Sequence, residues 1–346
     1  MRILVIKPSS IGDVLHTFPP VALIRSAIPD AEINWVINDT LSDVVGLCPD
    51  VKSIIPFPRK ELCNPQKVMA FVKSLRSEDY DVAIDYQGLF RSGMMTMLCK
   101  AKRKVGFSHA REGAPVFYGK RCVIHDLHTH AVDKNIQLTR FALDIPESTP
   151  IPPPRIKLSA QGISEIDDIV PNMPDSPVLA VCFSSRWHSK NWSLDFIAKC
   201  IDEASRHIAG LRVVLIGSKE DTATGDQLVG LCNVQKPVNM AGRTSFSGLA
   251  ALLSRASSML TVDSGPMHLA AAIGVPCVAL FGATDDVLTG PYGEKGFHKI
   301  IRTKCEKSPC LMRDCPKHGN CADHGSVEET VKAILEQINR NNGGKL

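Results

Sequence analysis

The sequence lacks any hydrophobic run long enough to cross a membrane. Its longest apolar stretch, Leu269 to Ala283, is interrupted by Gly274 and Pro276, whereas a membrane-spanning helix needs about 20 consecutive apolar residues. The N-terminus shows no secretory signal, because only four apolar residues separate Arg2 from Lys7. We therefore expect a cytoplasmic protein, in which the twelve cysteines stay mostly reduced.

Aromatic residues are also scarce, at 5 % of the 346 residues, and they are not interleaved with the basic residues. Because no recognised nucleic-acid-binding motif is present either, we expect no nucleic-acid partner. Short-period repeats and low-complexity tracts are absent as well, which excludes solenoid architectures. A chain of this length with 44 % hydrophobic residues is typical of a soluble α/β protein of about two domains.

The charge is small overall but unevenly distributed. The net charge is +4, of which residues 1–157 carry +5 and the remainder −1. Residues 86–121 hold eight basic residues and one acid, Glu112. The basic run from Lys100 to Lys104 is therefore either a solvated loop or part of a surface for an acidic acceptor or an anionic membrane.

Apolar strand-like runs alternate with helical patterns, which favours parallel α/β layers. In the first half, the predicted strands are Arg2–Lys7, Glu32–Ile37, Ser53–Phe57, Val82–Tyr86, Lys104–Phe107 and Arg121–His125, and the predicted helices are Val14–Ala27 and Pro65–Ser77. In the second half, the predicted strands are Val178–Phe183, Arg212–Ile216, Ser258–Val262 and Cys277–Phe281, and the predicted helices are Leu194–Ile208, Phe246–Ala256, Pro266–Ile273 and Val327–Asn339.

A proline-dense stretch from Pro146 to Pro154 separates the two halves. Consecutive prolines favour an extended, semi-rigid conformation, so we place the domain boundary there. The expected organisation is an N-terminal domain over residues 1–157, a C-terminal domain over 158–326, and a closing helix and tail over 327–346.

The first nineteen residues are the most informative. The strand Arg2–Lys7 runs into a turn of small residues that ends at Asp13, and a helical pattern follows. Backbone amides at such a helix start attract anions, but the Asp13 carboxylate would repel a phosphate. Asp13 is therefore either a base that activates an acceptor hydroxyl or an N-cap. His16, one helical turn further on, either orients Asp13 or is a structural histidine.

The segment Val262–Pro266 is the strongest candidate for a phosphate site. It follows a strand and opens a helix, and Pro266 lies where no N–H is needed. Amides between Ser264 and Met267 would point at a diphosphate, with Gly265 allowing close approach and His268 as a donor. The alternative is a structural helix capped by Asp263.

Lys190 lies in a second candidate phosphate segment. It follows Ser184, Ser185 and Trp187 between a predicted strand and a helix. Hydroxyls and an ammonium at the end of a strand suit phosphate contact, although an exposed loop lysine would give the same pattern.

Four cysteines, Cys305, Cys310, Cys315 and Cys321, cluster near His318 and His324. Their spacing lacks the C-x₂-C pairs typical of structural zinc. We expect reduced cysteines in a variable loop, with a metal site as the alternative, and we predict no metal elsewhere.

Several of these stretches together resemble bacterial heptosyltransferases (glycosyltransferase family 9), which build the inner core of lipopolysaccharide. The stretches are Lys7–Thr17, Thr261–Ala272, Phe281–Asp286 and Gly290–Gly293. The resemblance extends in order over nearly the whole chain and is greatest to the members that add the first heptose. It implies an α/β fold of the GT-B type, with two Rossmann-like domains facing across a cleft.

The resemblance also implies site residues. Those assigned to the ADP-sugar donor are Ser184, Ser185, Lys190, Asp221, Thr244, Asp263, Ser264, Gly265 and His268, and those assigned to the acceptor are Ser10, Gly12, Arg59 and Arg111. Among them, Asp221 would hold the ribose, and the segment of Thr244 would line the adenine through its backbone. Arg59 and Arg111 would contact acceptor phosphates, for which the guanidinium fork is suited.

The implied function is inverting transfer of L-glycero-D-manno-heptose from ADP-heptose to the Kdo region of the inner core, in cell-envelope biosynthesis. Asp13 would take the acceptor proton, while Lys190 and the amides near Ser264 stabilise the departing ADP. No cofactor is required, although Mg²⁺ could assist. We expect a monomer that is cytoplasmic and peripheral at the inner face of the inner membrane, with the nucleotide sugar, the phosphorylated acceptor and the anionic membrane surface as partners.

Two alternatives remain open at this point. One is a transferase of the same fold with another nucleotide-sugar donor, or with a glycan or protein acceptor. The other is a non-catalytic or epimerising nucleotide-sugar binder, which would not need Asp13 as a base. No residue pattern identifies the sugar itself.

Overall fold

The computed structural model describes residues 1–167, 169–170, 176–315 and 321–341. The chain divides into two compact units, Met1–Lys157 and Leu158–Leu346. Within the described ranges, no helix combines the length and the apolar character needed to cross a membrane.

The first unit is built on a parallel six-stranded sheet with strand order β3-β2-β1-β4-β5-β6. Its strands are β1 (Arg2–Ile6), β2 (Glu32–Asn38), β3 (Ser53–Phe57), β4 (Tyr80–Asp85), β5 (Ala101–Phe107) and β6 (Lys120–Cys122). Its helices are α1 (Ile11–Leu15), α2 (Phe18–Ala27), α3 (Ser42–Gly46), α4 (Pro65–Leu75), α5 (Phe90–Leu98) and α6 (Ala131–Leu143). Shorter 3-10 turns lie at Asp39–Leu41, Arg59–Glu61 and Ala114–Phe117.

The central strand β1 is apolar because both of its faces are covered. All four residues after Arg2 are buried, as expected for a parallel strand between two layers. Ile3 pairs with Ile33 on one side and with Val82 on the other. On the neighbouring strand, Trp35 packs edge-on against Phe18 of α2, with ring centroids 6.0 Å apart.

The predicted helix Val14–Ala27 is wrong in one respect, because the structure divides it into α1 and α2. Pro19 and Pro20 have no N–H and cannot continue the i→i−4 bonds of a single helix. Pro20 therefore has no N–H to donate to the carbonyl of His16. That carbonyl instead accepts a hydrogen bond of 3.2 Å from Asn135 Nδ2.

Other elements of the first unit also differ from the sequence predictions. The edge strand β6 covers Lys120–Cys122 rather than Arg121–His125, since only residues 105–107 of β5 pair with it. Helices α3, α5 and α6 were not predicted. In α5, Met95 is buried together with Ser92, Gly93 and Thr96, whereas Phe90, Met94 and Met97 are exposed. Large apolar residues therefore lie on both faces, which obscures the helical spacing.

The second unit repeats this architecture with strand order β12-β11-β10-β7-β8-β9. Its strands are β7 (Val178–Cys182), β8 (Arg212–Ile216), β9 (Val238–Asn239), β10 (Ser258–Val262), β11 (Cys277–Phe281) and β12 (Lys299–Arg302). Its helices are α7 (Ala160–Ser164), α8 (Leu194–His207), α9 (Thr222–Leu231), α10 (Phe246–Ser254), α11 (Gly265–Ile273), α12 (Asp286–Thr289) and α13 (Val327–Asn341).

Helix α8 shows how sequence and packing agree in this unit. Ser193 caps it by accepting a hydrogen bond from Phe196 N at 3.3 Å. Ile197 and Ile201, four residues apart, enter the same buried cluster as Ile334 of α13. Each such side chain stabilises the fold by about 1.5–3 kcal/mol when fully buried, so α13 belongs to the core of the second unit.

The order of the strands determines where ligands can bind. In the first sheet, the strands that follow β1 lie on one side of it and the strands that follow β4 lie on the other side. Strands β7 and β10 are related in the same way in the second sheet. In open parallel sheets, ligands bind at the carboxyl ends of the strands beside such a switch point. The loops after β1, β4, β7 and β10 are therefore the candidate binding loops.

Candidate functional site

Asp13 lies in the loop and short helix that follow β1. Its Oδ2 atom accepts hydrogen bonds from Ser10 N at 3.0 Å and from Ser10 Oγ at 2.8 Å. Ser10 is the N-cap of α1 and Asp13 its third residue, so the interpretation of Asp13 as the N-cap is wrong. Its side chain remains 46 % exposed, which leaves the second carboxylate oxygen accessible to a ligand.

Lys7, the residue after β1, is the nearest cation to Asp13. Its Nζ atom is 3.7 Å from Asp13 Oδ1 and donates a hydrogen bond of 3.1 Å to the carbonyl of Tyr86. Burial raises the pKa of Asp13, but Lys7, the Ser10 N–H and His16 lower it, and the pKa ends well below its usual range. The carboxylate is therefore ionised at neutral pH.

Both interpretations of His16, as a residue that orients Asp13 and as a structural histidine, stay predictions. His16 is buried, and its ring packs edge-on against His130 with centroids 5.4 Å apart, as a structural histidine would. It also contributes to the lowered pKa of Asp13, so its electrostatic field reaches the carboxylate.

The loop after β4 braces the Asp13 loop. Gln87 Oε1 accepts a hydrogen bond of 3.2 Å from Ser9 N. The buried Asp85 carboxylate accepts from the amides of Gln87 and Gly88 at 2.8 and 3.1 Å and from the hydroxyl of Tyr118 at 2.7 Å. Burial raises the pKa of Asp85 despite these bonds. The sequence did not indicate this contact between the two loops. The feature that could have indicated it is Asp85, an acid at the end of a buried strand.

Arg59 and Arg111 lie at the same edge of the first sheet as Asp13. Arg59 is in the 3-10 turn that follows β3, and Arg111 is in the loop that follows β5, where its N–H donates to Gly88 O at 2.9 Å. Each of those strands is two positions from β1, or about 10 Å along the sheet. Both side chains are exposed, and Gly12 lies between them in α1.

In the second unit, Lys190 and Asp263 form an ion pair. The distance from Lys190 Nζ to Asp263 Oδ2 is 2.7 Å, and the two side chains are 18 % and 6 % exposed. Thr284, in the loop after β11, donates from Oγ1 to the same carboxylate oxygen at 2.6 Å. Asp263 thus holds the ammonium at the switch point between β7 and β10, where an anionic ligand would meet it.

Two further side chains complete this region: Trp187, from the segment predicted to contact phosphate, and Arg313, which the sequence did not assign. Trp187 lies under Lys190, whose Nζ is 4.9 Å from the ring centroid, and Arg313 contacts the same ring at 5.6 Å. The Arg313 carbonyl accepts from Ser189 N at 3.0 Å. The loop near the cysteines therefore packs on the Lys190 segment, a long-range contact that no local pattern indicates.

Ser264, and not Asp263, occupies the N-cap position of α11, so the capping alternative for Asp263 is wrong. The Ser264 hydroxyl lies 3.3 Å from Cys182 Sγ and 3.2 Å from Thr261 Oγ1. Gly265 is partly exposed, and His268 is buried one turn into the helix. The structure thus brings the Val262–Pro266 segment next to the end of β7.

The hydroxyl residues after β7 are held by their backbone. Ser185 N donates to Asn191 Oδ1 at 2.7 Å, and the Ser184 carbonyl accepts from Cys182 Sγ at 3.6 Å. Both serines are partly exposed. Their position at the carboxyl edge of β7 agrees with a ligand-facing loop.

Asp221 follows the neighbouring strand β8 in a turn that repeats the geometry of Asp13. Its Oδ2 accepts from Ser218 N and Ser218 Oγ, both at 2.7 Å. The adjoining segment passes close by, because Gly242 N donates to Gly217 O at 3.0 Å. Gly242 has φ +71°, and a Cβ there would lie 2.6 Å from Lys219 Cα, so only glycine fits. Thr244 is half-buried two residues later.

The cysteine cluster lies partly outside the described residues, since His318 falls there. Among the residues that are described, no group of three His, Cys, Asp or Glu side chains is arranged to hold a metal ion. Cys321 Sγ donates to Ser189 O at 3.6 Å, and a side chain at Gly282 would collide with it. The choice between reduced thiols and a metal site stays a prediction.

A family model described as glycosyltransferase family 9 (heptosyltransferase) matches residues 68–320. The chain belongs to glycosyltransferase family 9. It is 29 % identical to lipopolysaccharide heptosyltransferase 1 of Pseudomonas aeruginosa, over 91 % of this chain and 87 % of that protein. It is also 29 % identical to lipopolysaccharide heptosyltransferase 1 of Escherichia coli K12, over 85 % of this chain and 92 % of that protein.

Solved structures in this family have the same fold. The Escherichia coli heptosyltransferase WaaC with ADP matches with a TM-score of 0.78 and 25 % identity, over 97 % of this chain and all of that chain. A family 9 glycosyltransferase from Veillonella parvula matches with a TM-score of 0.83 and 21 % identity, over 98 % and 97 % of the two chains. The predictions of an α/β, GT-B fold with two Rossmann-like sheets and of a glycosyltransferase activity are confirmed.

Proposed function

We propose that this family 9 glycosyltransferase moves heptose from ADP-heptose to the Kdo region of the lipopolysaccharide inner core. The observation that carries the proposal is that each unit has a different charged site at the carboxyl edge of its own sheet. One presents an ionised carboxylate, Asp13, and the other a fixed ammonium, Lys190. The similarity to proteins named lipopolysaccharide heptosyltransferases and to a structure with ADP supports the choice of donor and acceptor.

Asp13 acts as the general base on the acceptor. Its pKa lies well below the usual range, so it is a weak base before reaction, and it takes the proton as the hydroxyl oxygen bonds to the anomeric carbon and becomes acidic. Ser10 holds the Oδ2 atom through two hydrogen bonds, and Lys7 lies 3.7 Å from Oδ1. Oδ1, which accepts no hydrogen bond from Ser10, is the atom that we assign to the acceptor proton.

Lys190 and the first amides of α11 act on the leaving group. The bond from the anomeric carbon to the β-phosphate oxygen breaks as the acceptor oxygen attacks, and its electron pair stays on ADP. Asp263 holds Lys190 in position through the 2.7 Å contact, so the ammonium is preorganised for the charge that develops there. A single displacement of this kind inverts the anomeric centre.

The acceptor contacts are assigned to the first unit. Arg59 and Arg111 lie on either side of the β1 loop, and each guanidinium fork can bind a phosphate through two hydrogen bonds. Ser10 and Gly12 would contribute to the acceptor through the same loop. We further propose that the first heptose is the one added and that the enzyme works as a monomer at the inner face of the inner membrane.

Charge neutralisation of the diphosphate is assigned to Lys190 and the α11 amides, so turnover should persist after chelation of divalent cations. The test of the whole proposal is incubation with a panel of ADP-, UDP- and GDP-sugars and a deacylated inner-core acceptor, with products identified by mass spectrometry. Consumption of ADP-heptose together with the acceptor supports it. Consumption of a UDP- or GDP-sugar instead, or epimerised donor without acceptor, overturns it.

A further inference from the structure

Helix α5 of the first unit exposes three large apolar residues, in addition to burying Met95 in the core. Phe90, Met94 and Met97 are 49 %, 37 % and 45 % exposed, and their spacing of four and three residues places them on one face of the helix. We refer to these three side chains as the outer face of α5. A helix of a globular protein normally directs such residues to the core, so this orientation needs an explanation.

The buried face of α5 explains how the helix packs while three large apolar residues stay exposed. The Ser92 hydroxyl donates to Leu89 O and the Thr96 hydroxyl donates to Ser92 O, both at 2.9 Å, so neither needs water. Gly93 lets the turn Ala114–Phe117 approach, because a Cβ at Gly93 would lie 2.5 Å from the Phe117 ring. The helix is therefore held by these small residues together with Met95, which is buried in the core of the first unit, and Leu98, which packs against that core. Phe90, Met94 and Met97 lie outside this core cluster.

The exposed apolar area extends beyond the helix. Phe117 packs edge-on against Phe90 with ring centroids 5.4 Å apart, and Val116, next to it in the turn, is 72 % exposed. Contiguous exposed apolar residues of this kind indicate an interaction surface. Methionine suits such a surface when the partner has no fixed shape, because its side chain is flexible and adaptable.

Cations lie at one end of this apolar surface. Lys104 Nζ donates to Met97 O at 2.6 Å and Arg76 Nη1 donates to Leu98 O at 3.3 Å, so both lie at the C-terminal end of α5. Lys100, two residues after the helix, is exposed. Arg91, in the first turn, lies 5.8 Å from the ring centroid of Phe57. The acid in contact with the helix is Glu112, whose Oε2 accepts from Phe90 N at 3.2 Å.

Two other cations of the basic run do not add to this charge. Lys102 pairs with Asp81 at 2.9 Å and Arg103 pairs with Asp144 at 2.8 Å. The effective positive charge of the run therefore lies in Lys100 and Lys104, next to the outer face of α5.

We propose that the outer face of α5, with Val116, inserts into the headgroup region of an anionic lipid bilayer. Exposed apolar side chains with lysine and arginine at one end of the helix suit a bilayer surface, where acyl chains lie beside anionic headgroups. The inference rests on the proposed function only for the location of the acceptor in a membrane, and it can be tested without the acceptor.

The test measures binding of the full-length protein to vesicles of phosphatidylethanolamine with and without phosphatidylglycerol, by co-sedimentation. The Met94→Ser/Met97→Ser variant should lose about tenfold in partitioning onto the anionic vesicles. Phe141→Ser is the matched control, because Phe141 is also an exposed aromatic residue on a helix of the first unit. Lys100→Gln/Lys104→Gln should lose the preference for phosphatidylglycerol.

A fluorescence measurement covers the case in which the double methionine variant does not fold. Emission of a Phe90→Trp variant should shift to the blue with anionic vesicles and be quenched by brominated lipids, whereas emission of a Phe141→Trp variant should not. Wild-type binding by the methionine variant, or equal emission from both tryptophan variants, overturns the proposal. So does a dimer in sedimentation analysis that the methionine substitutions dissociate, since the face would then join two copies.

The activity on a soluble, deacylated acceptor separates this inference from the proposed function. The methionine variant should retain wild-type kcat/KM there, because the outer face of α5 contacts lipid rather than sugar. Lost activity on the soluble acceptor would assign the face to acceptor binding and overturn the inference. If the wild-type protein bound vesicles as described but transferred no heptose, only the proposed function would fail.

Discussion

Replacing Lys190 by alanine removes the ammonium partner of a carboxylate that is almost completely buried. Breaking one side of a buried ion pair costs about 3–5 kcal/mol, since the remaining charge is left uncompensated. Lys190 keeps 18 % exposure, and Thr284 still donates to Asp263, so we expect a value near the lower end, about 3 kcal/mol. For a unit of this size, that corresponds to a decrease in Tm of about 6–12 °C.

Thermal unfolding and steady-state kinetics of the same preparation test this prediction. The loss of leaving-group stabilisation should lower kcat by about 10²–10³-fold, independently of the effect on stability. Arg206→Ala is the control, because Arg206 pairs with Glu203 on an exposed face of α8 and such a pair contributes at most about 1 kcal/mol. The Lys190→Ala/Asp263→Ala variant should be less destabilised than the sum of its parts. If Lys190→Ala unfolded at the same temperature as Arg206→Ala and kept the wild-type kcat, the ion pair would contribute neither to stability nor to leaving-group stabilisation.

Three other changes give separate predictions. Asp13→Asn should lower kcat by about 10²–10⁴-fold with nearly unchanged ADP binding by calorimetry, because asparagine can still accept from Ser10; retained turnover would disprove the base. Arg111→Ala should raise the KM of a phosphorylated soluble acceptor and leave the donor KM unchanged; equal acceptor KM values would make Arg111 a surface charge. Burial lowers the pKa of His298 from 6.5 to about 4, and its Nδ1 accepts from Cys277 N at 3.1 Å. The unfolded chain therefore binds more protons between these values, and stability should fall by about 3 kcal/mol from pH 6.5 to pH 4. Urea denaturation of His298→Gln should show a flatter acid limb, and an identical limb would refute the assignment.

The central strands were predictable because parallel strands are buried on both faces. The edge strands β9 and β12, which are mostly not buried, were not predicted. A run of four consecutive apolar residues such as Ile3 to Ile6 indicates a strand of a parallel sheet, because such strands are buried on both faces. Helices were predictable only where one face is buried, as in α8. Helix α5 was missed because its large apolar residues lie on both faces, with Met95 buried and Phe90, Met94 and Met97 exposed. The division of α1 from α2 depended on two prolines whose effect the apolar spacing concealed.

The candidate site was predictable where it consists of residues close together in sequence. The turn that holds Asp13 and the segment of Asp263 follow apolar strands directly, and the family resemblance marks both. The partners that give these residues their properties come from distant parts of the chain. Arg313 contacts Trp187, and Gln87 contacts Ser9, through loop packing that no local spacing encodes. Lys7 was visible as a charged residue ending a buried strand, but its contact with Asp13 depends on the path of the turn.

The central claim is that this chain joins a heptose from ADP-heptose to an inner-core sugar with Asp13 as the base. The most direct measurement is the mass of a deacylated Kdo-containing acceptor after incubation with ADP-heptose and either the wild-type protein or Asp13→Asn. The account predicts a gain of one heptose residue with the wild type, release of ADP in equal amount, and almost no product with the variant. An acceptor of unchanged mass with the wild type, or equal product from both proteins, would contradict it.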